Sequence, residues 1–184
     1  PEDELIFVTV GRVAEVKRVD LQLQALARLP TGRLVIVGDG PQRSALQAEA
    51  GRLKLAERVT FTGALPHDRA LHAIRAGDAL LLSSRTEGLS HVLLEAMQLG
   101  VPCIASDVGG NPEIITGGVD GLLTPYGDVE ALAAAMHDLG SSPARRAQLA
   151  DAARESVKRF AWEALVDQTE ALLQETIDAR TAAR

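Results

Sequence analysis

Two glutamates, Glu87 and Glu95, stand with seven residues between them, and two cations, Arg12 and Lys17, lie five residues apart much earlier in the chain. Carboxylates accept hydrogen bonds from paired hydroxyls, as on a sugar or a ribose. Two cations near a diphosphate neutralise the charge that develops as it leaves. Between the glutamates, Ser90 and His91 fall where a helix is expected to start. A helix start offers free amides and about half a unit of positive charge, suited to a phosphate. Hydroxyl acceptors flanking a diphosphate site describe a pocket for a nucleotide sugar.

Each residue also has a plainer reading. Glu95 is surrounded in sequence by Val92, Leu93, Leu94, Ala96, Met97 and Leu99. They cover nearly every face, and a helix apolar all round is buried. A carboxylate there needs a partner, and a protein cation serves as well as a ligand; both readings are open. Taken singly, Glu87, Arg12 and Lys17 read as solvated surface charges. His91 suits packing or solvent as well as a pocket. His67, His72 and His137 have no metal-like grouping and are expected at the surface. Gly38-Asp39-Gly40-Pro41 only superficially resembles a dinucleotide loop, because Arg43 or Ser44 stands where a third glycine is expected.

The elements that must hold these residues are six short apolar strands alternating with helices. The strands are expected at 5–11, 33–38, 59–63, 78–83, 102–106 and 121–124. Asp20 is expected to cap the first helix and Pro41 to open the second. Ser90 is expected to cap a helix at 92–99 and Asp128 one with Val129, Leu132, Met136 and Leu139 on its apolar stripe. Pro143 should start another, and Trp162 to about Arg180 forms the last. This pattern predicts a Rossmann-like, doubly wound parallel sheet with helices on both faces. Ligands bind such sheets at the carboxyl ends of the strands, near a topological switch point. The loops that carry Arg12, Lys17 and Glu87 all lie at that edge.

With 184 residues the chain is long enough for one well-cored domain. Aromatics at 3% mean that the core is aliphatic. A net charge of −6 argues against nucleic-acid binding and a polybasic membrane surface. The single cysteine, Cys103, lies in an apolar run and reads as a core thiol. No apolar run is long enough to span a bilayer. Residues 1–4 run almost directly into a strand, so the chain is expected to begin at a domain boundary of something larger.

These residues fall into an ordered set: Gly11-Arg12-Val13 with Lys17, Gly38-Asp-Gly-Pro41, Val59-Thr-Phe-Thr-Gly63, Glu87-Gly-Leu-Ser-His-Val-Leu-Leu-Glu95-Ala-Met97, Gly100-Val-Pro102, Ala105-Ser-Asp-Val-Gly-Gly110 and Pro112-Glu113. From about residue 5 to 140 the chain resembles the C-terminal, donor-binding half of a family-4 retaining glycosyltransferase of the GT-B fold. The resemblance implies that Arg12 and Lys17 hold the donor diphosphate and that Glu87 contacts the transferred sugar. It further implies that the amides around Leu89, Ser90 and His91 meet the phosphates. Glu95 binds the ribose, and backbone near Leu65 meets the base. Gly11, Gly38 and Gly88 complete the donor-binding set. No metal or other cofactor is expected.

The implied partners are a nucleoside-diphosphate sugar and the protein's own N-terminal domain, which supplies the acceptor site and is absent from this chain. The 184 residues then form one nucleotide-sugar-binding domain with C-terminal helices at about 143–181, inactive alone. A cytoplasmic location is implied, with any attachment to the inner face of a membrane residing in the absent half. Arg18 departs from the family, which commonly has glycine after the lysine, and Leu89-Ser90 replaces a frequent Phe-Gly. Two alternatives keep the same fold: half of a nucleotide-sugar epimerase, and a non-catalytic module that binds a nucleotide or a partner.

Overall fold

The computed structural model describes residues 5–182. Its centre is a six-stranded parallel sheet: β1 (Ile6–Val10), β2 (Arg33–Val37), β3 (Val59–Gly63), β4 (Ala79–Leu82), β5 (Cys103–Ser106) and β6 (Leu122–Thr124). Their spatial order is β3-β2-β1-β4-β5-β6. The chain therefore reverses direction across the sheet between β1 and β4, where Phe7 pairs with Ala79 and Val8 with Leu80. The expected doubly wound sheet is the one observed.

Among the described residues eight helices cross between or follow the strands: α1 (Val19–Leu26), α2 (Arg43–Arg52), α3 (His67–Ala76), α4 (His91–Leu99), α5 (Asn111–Ile114), α6 (Val129–Ser141), α7 (Pro143–Ser156) and α8 (Trp162–Ala182). The strands feed both faces because successive side chains alternate. Ala79 and Leu81 of β4 join Phe7, Leu23, Leu26, Met136 and Leu139 in one core layer, on the side of α1 and α6. Leu80 and Leu82 join Ile74, Leu93, Met97 and Ala153 in the other, on the side of α3, α4 and α7. Leu80 and Leu81 are both essentially without solvent contact, each contributing about 2 kcal/mol from burial.

Two helix starts differ from expectation. Asp20 does not cap α1. A single 3-10 turn, Glu15–Lys17, leads into Arg18, which holds the N-cap position in the left-handed region at φ 47°. The Asp20 carboxylate instead accepts a fork from Arg18, with Nε at 3.0 Å and Nη2 at 2.9 Å. Pro41 does not open α2, which begins at Arg43, because Gly40 to Gln42 are drawn into a turn bonded back to Val13 (Gln42 N–H to Val13 O, 3.0 Å).

Other starts match. Asp128 Oδ1 accepts from Ala131 N–H at 2.8 Å, and Ser142 Oγ from Arg145 N–H at 3.1 Å, ahead of Pro143 at the first position of α7. Ser90 occupies the N-cap position of α4 as expected, but without a side-chain capping bond, and the helix begins at His91, one residue earlier than expected. Among the described residues no helix is long and apolar enough to cross a membrane. Cys103 is buried and unpaired. Burial pushes its thiol well above the ordinary range. His67, His72 and His137 are exposed, as expected.

Candidate functional site

The carboxyl ends of β1 and β4 meet at the switch point, and two loops grow from them. The first carries Arg12 and Lys17. The second carries Ser83, Ser84 and Glu87. Parallel neighbours bring the loops together although they are far apart in sequence. Lys17 Nζ donates to Glu87 Oε1 at 2.6 Å, and Ser84 Oγ donates to the same oxygen at 2.6 Å. Glu87 is thus not the solvated surface charge that its residue type alone suggested; its side chain is 12% exposed. Both donors use Oε1. Among the described residues no group donates to Oε2, which leaves that oxygen to accept from a ligand.

The Lys17 ammonium has three donors, one of which goes to Glu87. Arg12 is exposed, and among the described residues its guanidinium has no hydrogen-bond or ion-pair partner. Gly11, Arg12, Val13 and Lys17 line a crevice floored by Thr9, Val10 and the ends of the neighbouring strands. Two cations therefore border one crevice, with one carboxylate set against the nearer of them.

The loops are held by close backbone contacts. Val13 N–H donates to Asp39 O at 2.9 Å, and Gly11 N–H to Val37 O at 2.9 Å. Gly38 has φ +138°, and a Cβ there would stand 1.8 Å from Gly11 O. Only glycine allows that approach. On the other side, Gly110 N–H donates to Glu87 O at 3.2 Å, and a Cβ on Gly109, at φ +54°, would lie 2.0 Å from the same oxygen. The loop after β5 is therefore pressed against the backbone of Glu87. Gly38 and Gly109 act by yielding space between loops.

Beneath the loops runs a set of buried hydroxyls and amides. Ser106 Oγ donates to Ser84 O at 2.7 Å, and Asn111 Nδ2 to Ser106 O at 2.9 Å. Ser83 Oγ reaches the carbonyls of Lys17 and Arg18 at 3.0 and 2.8 Å, and Gln22 Nε2 donates to Ser83 Oγ at 2.9 Å. Arg85 N–H donates to Val16 O at 2.8 Å, a direct bond between the two loops. Ser83, Ser84, Ser106, Asn111 and Gln22 are at most 5% exposed.

Sequence reasoning passed over these five residues. The available signals were a serine pair closing one apolar strand, a serine closing the next, and a lone amide between Leu21 and Leu23.

Glu95 lies elsewhere on the rim. The helix carrying it is not buried on every side: His91 and Gln98 are exposed and Glu95 is half-buried. Its side chain is 31% exposed, and His67 Nε2, at the start of α3, lies 3.7 Å from its Oε1. The buried protein cation that one reading required is absent among the described residues. Leu65, two residues before His67, and Leu89, beside Glu87, are large exposed apolar residues at 37% and 53%. His91 is exposed at the first turn of α4, and Gly88 is open, since a Cβ there would meet nothing within 4 Å. Lys17 and Glu87 thus meet directly, whereas Glu95 approaches His67.

At the rim, Arg18 joins the loop after β6. Its Nη1 donates to Tyr126 OH at 2.7 Å and its guanidinium lies 5.8 Å from the Tyr126 ring centre. The left-handed backbone at Arg18 explains why a glycine suits that position in the family it resembles.

The family model described as glycosyl transferases group 1 matches residues 1–156. The chain belongs to this family. It is 34% identical over 180 residues to N-acetyl-alpha-D-glucosaminyl L-malate synthase of Bacillus anthracis, covering 96% of this chain and 47% of that protein. It is 33% identical over 190 aligned positions to D-inositol 3-phosphate glycosyltransferase of Mycobacterium marinum, covering 99% of this chain and 41% of the relative.

Among solved structures, sucrose-phosphate synthase of Thermosynechococcus elongatus superimposes with a TM-score of 0.85 at 34% identity, over 97% of this chain and 47% of that one. Anabaena Alr3699/HepE, solved with UDP, gives a TM-score of 0.85 at 26% identity, over 94% and 49%. This group 1 glycosyl transferase chain therefore has the fold of GT-B glycosyltransferases and spans about half the length of the relatives that it matches.

Proposed function

We propose that the chain is the donor-binding half of a retaining glycosyltransferase. It holds a nucleoside-diphosphate sugar over the carboxyl ends of β1 and β4. The observation that carries this reading is the Lys17–Glu87 pair beside Arg12, whose guanidinium has no partner among the described residues. It sets a carboxylate with one open oxygen against two cations at the switch point. The UDP and UDP-glucose named with Anabaena Alr3699/HepE support the substrate class.

In this reading Arg12 and the two remaining donors of Lys17 meet the diphosphate. A unit charge pair at about 4 Å is worth roughly 4 kcal/mol near a protein surface, and the benefit grows as the bond from the sugar to the diphosphate breaks. The open Oε2 of Glu87 accepts from a hydroxyl of the sugar. The first-turn amides of α4, around Leu89, Ser90 and His91, meet phosphate oxygens. Glu95 accepts the ribose hydroxyls, and backbone near Leu65 meets the base; the two lie on one wall because His67 links α3 to Glu95. Gly11, Gly38 and Gly88 keep the floor and rim free of side chains.

An acceptor hydroxyl, held by the other half of the protein, attacks the anomeric carbon on the face that the diphosphate leaves. Its proton passes to the departing phosphate oxygen, giving glycoside and nucleoside diphosphate with configuration retained. No metal is required, because the two cations take its electrostatic role. Alone, this half binds donor and transfers little.

Calorimetric titration with UDP, GDP and ADP tests the reading. One of the three should bind, without change on adding a chelator, and Arg12→Ala should weaken it. No binding by any of them to the folded chain would overturn the assignment.

A further inference from the structure

We propose that Gln22 is a positioning residue for Lys17, acting through Ser83; the proposal rests on the reading that Lys17 meets a diphosphate. Gln22 lies in α1 between Leu21 and Leu23, and it is 1% exposed. A primary amide so placed is unfavourable unless bonded. Its Nε2 donates to Ser83 Oγ at 2.9 Å and to Thr9 Oγ1 at 3.3 Å, while its Oε1 has no partner among the described residues.

The direction of these bonds is forced. A serine hydroxyl has one proton. Ser83 directs it to the carbonyls of Lys17 and Arg18. Its oxygen can then only accept, so the amide must face it with the NH2 group. Turning the amide over would set its oxygen against Ser83 and draw the proton away from those carbonyls.

Those carbonyls belong to a single 3-10 turn whose own bonds, Lys17 N–H to Ala14 O at 3.0 Å and Arg18 N–H to Glu15 O at 3.1 Å, close it locally but do not fix it to the neighbouring loop. Arg18 is a non-glycine residue at φ 47°, a conformation that persists only where its surroundings impose it. The turn is tied from outside by Ser83 Oγ and by Arg85 N–H to Val16 O. Gln22 sits beneath the first tie and fixes which way the Ser83 proton points. Lys17 leaves the same turn and reaches Glu87. A single buried amide in a helix core thereby sets the place of an ammonium group on the crevice.

Gln22→Met keeps the length and unbranched shape of the side chain and removes its donors. Amide hydrogen exchange should then show lost protection at Leu21 and Arg85, whose bonds to Arg18 O and Val16 O close the turn, with α2 and α6 unchanged. Affinity for UDP, or whichever diphosphate binds, should fall about threefold to tenfold, as for loss of one net hydrogen bond. In a Lys17→Ala background the same change should cost nothing further.

Unchanged exchange at Leu21 and Arg85 would overturn the proposal, as would a full loss persisting without Lys17. If the parent chain binds no diphosphate, the functional reading fails by itself, and the exchange pattern still decides whether Gln22 holds the turn. Ser83→Ala cuts the same link from the strand side and should give the same exchange pattern if Gln22→Met does not fold.

Discussion

Lys17 and Glu87 are 70 residues apart in the chain and 2.6 Å apart in the fold. With side chains 26% and 12% exposed, the pair is partly screened. The ammonium is shared between protein and prospective ligand, so the two partners should respond differently to mutation. Lys17→Ala should weaken nucleoside-diphosphate binding about tenfold to a hundredfold, the value of one charged hydrogen bond. Glu87→Gln should leave diphosphate affinity unchanged or slightly raised, because the ammonium loses its competitor. The same variant should erase any preference for the nucleotide sugar over the bare diphosphate. Calorimetry with both ligands separates the two effects.

Glu95→Ala should weaken diphosphate binding about tenfold through the lost ribose contact. Its thermal midpoint should stay at the parent value, because among the described residues the one charged or titratable group that approaches Glu95 is His67, at 3.7 Å. A fall in stability with affinity retained by the folded fraction would make Glu95 structural instead.

Glycine substitutions should divide sharply. Gly38→Ala and Gly109→Ala drive a methyl group into the backbone oxygens of Gly11 and Glu87 at positive φ and should each cost about 3 kcal/mol or more, as severe overpacking does. Gly51→Ala, inside α2 with nothing within 4 Å, should stabilise by about 0.5–1 kcal/mol. Urea midpoints of the three variants read the difference.

Cys103 should resist alkylation by iodoacetamide near neutral pH and react once guanidinium unfolds the chain. Burial holds its thiol protonated, and the thiolate is the reactive form. Rapid labelling of the native chain would show that β5 opens locally.

The six strands were legible in sequence because each is a short run rich in apolar residues, the first five closed by glycine or serine and the sixth by Thr124 and Pro125. The start of α1 was not. Asp20 has the residue type of a cap, yet Arg18 had already set the helix by adopting a left-handed turn, and no local signal marks an arginine for that conformation. Pro41 misled for a related reason: the tie from Gln42 to Val13 is tertiary.

The four site charges were legible by type, and Arg12 and Lys17 by their position after β1. Their grouping was not, since it depends on β1 lying beside β4 with β2 and β3 turned away. That is why Glu87 found Lys17, and Glu95 found His67. The buried serines and Gln22 escaped because a polar residue at the end of an apolar run reads as loop chemistry until the carbonyls facing it are known.

The placement of β1 beside β4 also bears on how the chain folds. β1 and β2 can pair across one helix, whereas joining β1 to β4 closes a far longer loop, from Phe7 to Ala79. Loop-closure entropy rises with that length, and non-local pairings form slowly. Lys17 and Glu87 stand on loops from opposite wings of the sheet, so neither wing carries the pair of the proposed diphosphate site while it folds alone. The gain of nucleotide affinity during refolding would then time the moment at which the wings join.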